Sequence, residues 1–514
     1  MDDAAETGET WGGFGAPLLG NPEAQDLSRV GVVDVGSNSV RLVVFDGAAR
    51  SPAYFYNEKV MAGLGAGLGE TGRLNPEGKA RALSAIRRFA ALADRIGISP
   101  LTTVATAAMR DAEDGPAFAA EIERETGVAL WIVDGEEEAR LSAQGVLLGW
   151  PGSYGLVCDI GGSSMELARL QDGEVGRRLT SPLGPLKLAG VKGGKKGMEA
   201  HIKGVMSDLF QRMGEETGQR LFLVGGSWRA IARVDMERKD YPLHVLHEYR
   251  MRPRDVAKTA EFIRKSDLQA LRSRCGISDA RMSLVPLASQ VLTEVIRTFK
   301  PKDITISSYG IREGMLYEQM SPELRARDPL IESARFAEAK DARLPGFGRV
   351  LYDFILPLFP RADWQKKRII RAACLLHDVS WRAHPDYRAE VTFDNATRAN
   401  LGGLKHAERI YLGLALMHRY SSKKEGTVYE HLLTLLKPEE QAEAEVLGRA
   451  MRFGAMLWIQ ADEPPGRLQW HPKKKVLVLH LNAAARPLFG EVAEARLKSL
   501  ASALGGGYLV KIGR

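Results

Sequence analysis

Two Gly- and Ser-rich turns each follow an aspartate at the end of an apolar, strand-like run. The first turn is residues 36–39 (GSNS) after Asp34, and the second is residues 161–164 (GGSS) after Asp159. Turns of this composition expose several backbone N–H groups at one point, and such groups bind phosphate oxygens. A carboxylate at a strand end can hold Mg²⁺ directly or through water. Together these features predict a site for phosphate and a divalent cation.

The segments that carry the two turns repeat each other. Residues 31–45 read GVVDVGSNSVRLVVF and residues 155–170 read GLVCDIGGSSMELARL, with the Asp, Gly, Ser and Leu positions in register. A repeat at about the spacing of a domain predicts two similar α/β domains that face each other.

The residues around these turns alternate between helical and strand patterns. Apolar positions recur at helical spacing in residues 77–96 and 115–126, whereas residues 101–105 are typical of a buried strand. Further apolar runs at 221–232 and 303–320 lead into small residues and then a helix. Alternation of this kind favours parallel pairing in a covered sheet whose loops meet at one cleft.

The pattern changes after about residue 325. Residues 330–458 consist of long helical patterns and predict a separate all-α domain. The Pro-rich stretch 461–466 then predicts a linker to a small α/β unit. That unit has strands at 475–481 and 508–512 and a helix at 490–504.

Composition narrows the class of protein. The 514 residues are 45% apolar and 26% charged, which is typical of a globular chain of several domains. Three separated cysteines form neither a disulfide framework nor a zinc site, and no apolar run is long enough for a membrane span. Residues 1–28 are acidic and Gly-rich, unlike a signal peptide, so we expect a loose tail and a cytoplasmic protein.

The net charge of +7 makes a polyanionic partner worth testing. The positive charge is partly clustered, and one cluster lies in a Gly- and Lys-rich segment, residues 191–197, that predicts a surface loop. The Lys and Arg clusters are at 192–196, 300–302, 423–424 and 473–475.

Six motifs between residues 30 and 320 together resemble one known family. They are DVGSNSVRL, ATAAMRDAED, VDGEEEARL, CDIGGSSMEL, LVGGSWRAIA and SSYGIREGMLYE. In this order they resemble the exopolyphosphatase and guanosine pentaphosphate phosphohydrolase family of the actin, sugar kinase and Hsp70 superfamily. The resemblance implies an α/β fold of two actin-like (ribonuclease H-like) domains around a cleft, then an all-α HD-like domain and a small C-terminal α/β domain. The expected boundaries are 1–28 for the flexible tail, 29–141, 142–324, 325–460 and 461–514.

The resemblance also implies roles for particular residues. Glu138 falls on the catalytic glutamate, where a carboxylate would orient and deprotonate an attacking water. Asp159 and Glu166 match metal-binding carboxylates, on the strand and helix sides of the second turn. Asp34 is a third candidate ligand, and the implied cofactor is Mg²⁺ or another divalent cation. The implied phosphate-binding residues are Ser37, Asn38, Ser39, Arg110, Gly161, Gly162, Ser163 and Ser164.

The chain departs from the family pattern at the second turn. Where the family usually has a third glycine followed by Ser-Thr, this chain has Ser163, Ser164 and Met165. In the motif LVGGSWRAIA, Trp228 is either a bulky residue that disfavours a purine site or a core tryptophan. ATP is not predicted as a cofactor.

The helical region contains the pair His377-Asp378 that gives HD hydrolases their name. No histidine stands between residues 325 and 376, so one expected metal ligand is missing and a degenerate site with structural His377 and Asp378 is predicted. His384, His406, His418-Arg419 and Lys423-Lys424 could line a groove for anions or be ordinary surface residues.

The leading hypothesis is an exopolyphosphatase that releases terminal orthophosphate from inorganic polyphosphate. Hydrolysis of guanosine pentaphosphate to the tetraphosphate is the alternative within enzymes. A phosphate or alarmone sensor without turnover is the alternative from another class, and a sugar kinase lacks a convincing ATP pocket. We expect no membrane partner and no specific nucleic acid, and a homodimer stays open.

Overall fold

The structure is a computed structural model that describes residues 29–46, 50–98, 101–421, 426–460 and 463–513. The predicted tail, residues 1–28, lies outside the described residues. The chain divides into two compact units, and the boundary between them lies between Arg327 and Asp328. Within the described ranges no helix combines the length and the apolar character needed to cross a membrane.

The first unit is built around two sheets. The strands of its first sheet are β1 (Val30–Val35), β2 (Val40–Phe45), β3 (Tyr54–Val60) and β4 (Thr102–Ala105). The strands of its second sheet are β5 (Gly155–Ile160), β6 (Met165–Gln171), β7 (Glu174–Ser181), β8 (Arg220–Val224), β9 (Arg250–Met251) and β10 (Asp303–Ile306).

Helices fill the connections between these strands. In the first half they are α1 (Leu68–Thr71), α2 (Pro76–Ile96), α3 (Ala107–Asp111), α4 (Gly115–Thr126) and α5 (Gly135–Gly149). In the second half they are α6 (Pro185–Leu188), α7 (Gly194–Met213), α8 (Gly226–Arg238), α9 (Pro253–Lys265), α10 (Leu268–Cys275), α11 (Asp279–Met282), α12 (Val285–Phe299), α13 (Ile311–Glu318) and α14 (Pro322–Ala326).

The two sheets begin with the same topology, which extends the sequence repeat to the fold. Their orders are β3-β2-β1-β4 and β7-β6-β5-β8-β10-β9. In each, three strands form an antiparallel meander, and the first of them pairs in parallel with a strand that comes later in the chain. The prediction of parallel pairing is therefore correct only for β1 with β4 and for β5 with β8 and β8 with β10.

One apolar core joins the two sheets. It contains Val32 and Val43 from the first sheet, Val157 and Phe222 from the second, and the apolar faces of α5 and α13. Burial of this shared surface explains why residues 29–327 form one unit rather than two. Helix α5 also runs without a break past residue 141, and the boundary expected there stays a prediction.

Helices α5 and α13 pack closely because of a glycine. A Cβ atom built on Gly314 of α13 would lie 1.8 Å from the carbonyl oxygen of Leu141 in α5, so only glycine allows this contact. The first turn of α5 carries the acidic triplet Glu136, Glu137 and Glu138. The contact therefore fixes the helix that presents these carboxylates.

The second unit is helical at first and then forms a small sheet, as predicted. Its helices are α15 (Pro329–Asp341), α16 (Phe347–Ile355), α17 (Trp364–Leu376), α18 (Arg388–Arg398), α19 (His406–His418), α20 (Pro438–Leu457) and α21 (Glu491–Ala503), with 3₁₀ turns at Leu356–Leu358, Glu430–Leu435 and Ala483–Leu488. Its strands are β11 (Gly466–His471), β12 (Val476–Leu481) and β13 (Gly507–Ile512).

Most local predictions are confirmed. The helices expected at 77–96 and 115–126 are α2 and α4, and the strand expected at 101–105 is β4. The surface loop predicted at 191–197 is wrong for its second half, because α7 begins at Gly194. Three lysines and several glycines suggested a loop. Residues 198–213 have apolar positions at helical spacing, and the helix that they form also includes residues 194–197.

Candidate functional site

The two predicted turns are the tips of two equivalent β-hairpins. Between β1 and β2, the Gly36 N–H donates to the Ser39 carbonyl at 3.0 Å, and between β5 and β6 the Gly161 N–H donates to the Ser164 carbonyl at 3.0 Å. Asp34 and Asp159 are each the residue before the last in the first strand of their hairpin. The structure thus gives the repeated motif the same backbone conformation twice.

The two hairpin tips lie next to each other. The Ser163 hydroxyl donates to the Ser37 hydroxyl at 3.2 Å, although the two residues are far apart in sequence. A cavity of about 250 Å³ opens beside this contact. Of the predicted site residues it is lined by Asp34, Ser37, Asn38, Ser39, Glu138, Asp159, Gly161, Gly162 and Ser164.

Three predicted residues do not line the cavity. The Ser163 hydroxyl is hydrogen-bonded to Ser37, as described above, and Arg110 donates a hydrogen bond to Glu138. Glu166 is 1% exposed and lies on β6, directly opposite Asp159. The expectation that Glu166 stands on the helix side of the turn is therefore wrong. The run MELARL instead forms a second strand, β6. The sequence was misleading here because a buried strand with apolar residues on both faces resembles a helical segment.

The carboxylates of the acidic triplet at the start of α5 lie in different environments. Glu137 forms an ion pair with Arg140 at 2.7 Å, and Arg140 also reaches Glu318. Glu138 is buried and lines the cavity. Asp134 fixes this orientation, because its side chain accepts the Glu137 N–H as the N-cap of the helix. Glu138 is thus the member of the triplet placed to meet a ligand.

The carboxylate of Glu138 has a raised pKa. Burial raises the pKa of Glu138 to about 7, and the nearby Asp159 and Asp34 act in the same direction. Arg110 opposes them, because its Nη1 donates to Glu138 Oε2 at 3.0 Å. A carboxyl group with a pKa near neutrality can accept a proton from water and release it again.

The two aspartates are close enough to the cavity to interact electrostatically with a ligand. Burial raises the pKa of both. Asp34 is opposed by Arg312, whose Nη1 lies 3.7 Å from Asp34 Oδ2, whereas Asp159 accepts a hydrogen bond from Ser142. Arg229 and Arg312 also oppose the effect of burial at Asp159, as Arg312 and Arg41 do at Asp34.

Five basic side chains also line the cavity, and the sequence interpretation did not identify them as site residues. They are Arg41, Lys59, Arg229, Arg281 and Arg312. Burial together with the neighbouring Arg312 and Arg281 lowers the pKa of Arg229 to about 10. A Cβ atom on Gly226 would lie 2.0 Å from Arg281 Nη1, so this glycine makes room for the guanidinium. Crowded guanidinium groups are stabilised by a bound anion such as phosphate.

The sequence held a signal for some of these cations. Arg41, Arg229 and Arg312 stand inside motifs that carried the resemblance, at DVGSNSVRL, LVGGSWRAIA and SSYGIREGMLYE. Lys59 and Arg281 lie outside those motifs. Trp228 is fully buried, and its Nε1 donates to the Cys158 carbonyl at 3.1 Å, so it is a core tryptophan.

The residues at the second hairpin fit a hydrated divalent cation. Glu166 Oε2 is buried and has no hydrogen-bond partner among the described residues. No three His, Cys, Asp or Glu side chains in the described ranges converge as an enclosed metal site. Magnesium is commonly held by one or two carboxylates while substrate phosphates and waters complete its ligands. Asp159 at the cavity wall meets that requirement.

The His377-Asp378 pair in the helical region is engaged with protein groups. Arg343 holds the Asp378 carboxylate at 2.6 and 2.9 Å, and His377 Nδ1 lies 2.7 Å from the Cys374 carbonyl oxygen. Burial and Arg419 lower the pKa of His377 to about 4. These contacts agree with a structural role for the pair. Lys423 and Lys424 lie outside the described residues.

Comparison with known proteins decides the family. Residues 43–323 match the Ppx/GppA phosphatase family, and residues 361–510 match the exopolyphosphatase C-terminal family. The chain belongs to the Ppx/GppA phosphatase family. Within the Ppx/GppA family, exopolyphosphatase 1 of Mycobacterium tuberculosis is 36% identical over 31% of this chain and 47% of its own length. The chain thus spans about half the length of this and several other curated relatives it matches.

Other Ppx/GppA relatives cover more of the chain. The guanosine-5'-triphosphate,3'-diphosphate pyrophosphatase of Photobacterium profundum is 23% identical over 87% of this chain and 90% of its own length. The crystal structure of an exopolyphosphatase from Cytophaga hutchinsonii is 23% identical, with a TM-score of 0.51 over 56% of this chain and 97% of that one. That structure supports the Ppx/GppA fold for the first unit.

Proposed function

We propose that this protein is an exopolyphosphatase that releases terminal orthophosphate from inorganic polyphosphate. One observation carries the proposal: a buried carboxylate, Glu138, shares a cavity with two phosphate-type hairpin tips and five basic side chains. The mycobacterial relatives, which are exopolyphosphatases by name, support the same activity.

The proposed reaction is an attack of water on the terminal phosphorus. The Glu138 carboxylate accepts one proton from the water, the water oxygen forms a bond to the phosphorus, and the bridging P–O bond breaks. The shortened chain leaves with the bridging oxygen, and the released orthophosphate carries the oxygen of the water. The hydrogen bond from Arg110 would hold the Glu138 carboxylate in position.

Binding of the phosphates falls to both hairpins. The backbone around residues 36–39 and 161–164, with Ser37, Asn38, Ser39 and Ser164, would hold the terminal phosphate. Arg41, Arg229, Arg281, Arg312 and Lys59 would hold the adjoining phosphates. Mg²⁺ held by Asp159, with Asp34 and Glu166 as further candidates, would supply positive charge to the phosphoryl oxygens.

Guanosine pentaphosphate is the second candidate substrate. The Photobacterium relative that matches most of the chain supports it. Against it, no aromatic side chain among the described residues lines the cavity, so no aromatic ring there could stack on a guanine base. A phosphate or alarmone sensor is the third candidate, and it would not need the raised pKa of Glu138.

The helical region and the location stay predictions. We infer an HD-like arrangement for residues 325–460, in which His377 and Asp378 have structural roles. A cytoplasmic location is inferred from the three separated cysteines. A homodimer also stays open.

Phosphate release from the purified full chain tests the proposed function. The protein should release orthophosphate from long polyphosphate in the presence of Mg²⁺, and the Glu138→Gln variant should bind the polymer but release little. Release from guanosine pentaphosphate alone would favour the second candidate. Binding of both compounds with no release from either would favour the sensor.

A further inference from the structure

Three arginines of the second unit come from three successive helices that pack together. Arg419 directly follows α19, Arg452 lies on α20 and Arg496 lies on α21. A glycine allows α19 and α20 to approach closely, because a Cβ atom on Gly448 would lie 2.3 Å from the Cβ atom of His418. Arg452 is one turn further along the same face of α20, since residues four apart are neighbours on a helix. The end of α19, where Arg419 stands, therefore lies near the face of α20 that carries Arg452.

Helix α21 is attached to the same face of α20 through Arg449. The Nη1 atom of Arg449 donates to the carbonyl oxygen of Ser499 at 3.0 Å and to the Ser499 hydroxyl at 2.9 Å. Arg452 is three residues after Arg449 on α20, and Arg496 is three residues before Ser499 on α21. Both arginines therefore lie on the faces by which the two helices meet. We call Arg419, Arg452 and Arg496 the arginine cluster.

Within the part of the chain that the structure describes, no carboxylate pairs with the arginine cluster. Arg419 is only 7% exposed, yet its Nε atom and that of Arg496 are buried without a hydrogen-bond acceptor there. The neighbouring carboxylate of Glu445 is taken by Arg449. A buried guanidinium group without an acceptor costs free energy, which a bound anion would recover.

The electrostatics of these arginines agree with an excess of positive charge. Burial, followed by the positive Arg496 and Arg419, lowers the pKa of Arg452 to about 10. Burial also lowers the pKa of Arg419, and the nearby Arg343 acts in the same direction. Asp378 opposes this effect, but its carboxylate is already paired with Arg343. An anion beside the arginine cluster would relieve the repulsion.

We propose that the arginine cluster binds one compact phosphate group, either orthophosphate or the phosphate of a small ester. The planar guanidinium group donates paired N–H bonds that match the spacing of phosphate oxygens. Because each of three helices contributes one guanidinium group, the donors come from several directions, as a tetrahedral anion requires. The inference goes beyond the proposed function, since all three arginines belong to the second unit and hydrolysis is assigned to the cavity of the first.

The burial of the arginine cluster favours a compact anion over a linear polymer. Arg419 is buried, and Arg452 and Arg496 are half-buried. Little of the cluster is therefore open to a chain that lies along the protein surface, whereas a single phosphate group needs only a small opening.

The test follows amide hydrogen exchange of the full chain while orthophosphate is added at constant ionic strength. Exchange is resolved along the chain, so protection of residues 446–457 in α20 is measured separately from protection at the cavity of the first unit. The variant is R452Q/R496Q, and the control K367Q/K498Q removes the same charge from exposed positions of α17 and α21. Circular dichroism first shows that both variants are folded, and R496Q alone replaces the double variant if the double variant unfolds.

Orthophosphate should slow the exchange of residues 446–457 in the wild type and in the control. R452Q/R496Q should need about 10-fold more orthophosphate, or more, for half of this protection, because two charge-assisted donors are lost. A purely structural role predicts a lower Tm of R452Q/R496Q without phosphate and an unchanged midpoint, and that result would overturn the proposal. Absence of protection in residues 446–457 of the wild type would overturn it as well.

Adenosine monophosphate, titrated in the same way, separates the two sources of the phosphate group. A lower midpoint for orthophosphate assigns the site to the free ion, and a lower midpoint for adenosine monophosphate assigns it to an ester. Long polyphosphate is the third compound titrated. Protection of residues 446–457 by long polyphosphate, with none by the two compact compounds, would overturn the proposal of a compact ligand.

Discussion

The two hairpins beside the cavity share a backbone but differ in charge. In both, an aspartate precedes a turn closed by the same 3.0 Å hydrogen bond. The residue opposite the aspartate is Arg41 in the first hairpin and Glu166 in the second. Asp34 therefore has Arg41 and Arg312 nearby, whereas Asp159 stands beside a second carboxylate.

This difference means that one repeated backbone carries two different sets of charged side chains. The first hairpin balances its aspartate with arginines and is left with basic groups for phosphate. The second collects Asp159, Glu166 and the adjoining Glu138, and burial with mutual repulsion raises the pKa of Glu166 well above its usual value. Excess negative charge at the second hairpin suits a cation or a proton.

The largest effect is expected for substitution of Glu138, the proposed proton acceptor beside the second hairpin. Glu138→Gln should lower kcat by about 10² or more, since an amide cannot accept the proton of water. Glu137→Gln is the matched control and should change kcat by less than about threefold, because Glu137 pairs with Arg140 and does not line the cavity. Equal losses in steady-state phosphate release would show that the triplet has been assigned wrongly.

The pH profile should report the same carboxylate. Because the base must be ionised and the pKa of Glu138 is about 7, kcat/KM should rise with pH through about 7 and then level off. The Glu138→Gln variant should lose this rise in its residual activity. A wild-type profile that is flat from pH 6 to 8 would contradict the role of Glu138.

The two aspartates should differ in their effect on the metal requirement. Asp159→Asn should raise the Mg²⁺ concentration for half-maximal activity by about 10-fold, because a hard ligand is lost where negative charge is in excess. Asp34→Asn should raise it less, since Arg312 already opposes that charge. Titration of activity with Mg²⁺ measures both, and the reverse order would place the cation at the first hairpin.

The Glu166→Gln substitution should change how the stability of the protein depends on pH. The raised pKa means that the folded protein keeps a proton that the unfolded chain releases above about pH 4.3. Wild-type stability is therefore lost as pH rises from that value, and a neutral amide removes the loss. We expect the Tm of Glu166→Gln to exceed that of the wild type by a few degrees at pH 8 and by less at pH 5. A Tm difference that stays the same from pH 5 to pH 8 would contradict the raised pKa of Glu166.

The smallest effect is expected where the second turn departs from the family pattern. Ser163→Gly removes the hydroxyl that bonds Ser37 but leaves the Gly161–Ser164 turn intact. Phosphate release should stay within about fivefold of the wild type, because one neutral hydrogen bond contributes about 1 kcal/mol. A loss above 10-fold would show that contact between the two tips is needed for activity.

The sequence predicted the features that depend on local pattern. The two Gly- and Ser-rich turns after apolar strands and the change to helices near residue 325 were visible in composition, periodicity and motif. Glu166 was placed on the wrong element, because six residues of mixed character do not distinguish a buried strand from a helix.

The basic wall of the cavity could not be predicted in the same way. Arg281 stands on a short helix far along the chain from Arg41, and the two meet only after the second sheet and its helices have packed. The alignment of Arg467, His480 and Lys511 across the C-terminal sheet likewise depends on strand register, which a periodic pattern does not supply.

The close contact between α5 and α13 at Gly314 should slow hydrogen exchange in α5. Backbone amides in the middle of α5 lie in the core that joins both sheets, so their exchange with deuterium requires that core to separate. Glu138 is attached to the same helix and cannot move away from the hairpins by a local fluctuation of a loop. The slowest-exchanging amides of the first unit should therefore include those of residues 141–148, and heat inactivation should follow the cooperative opening of this core.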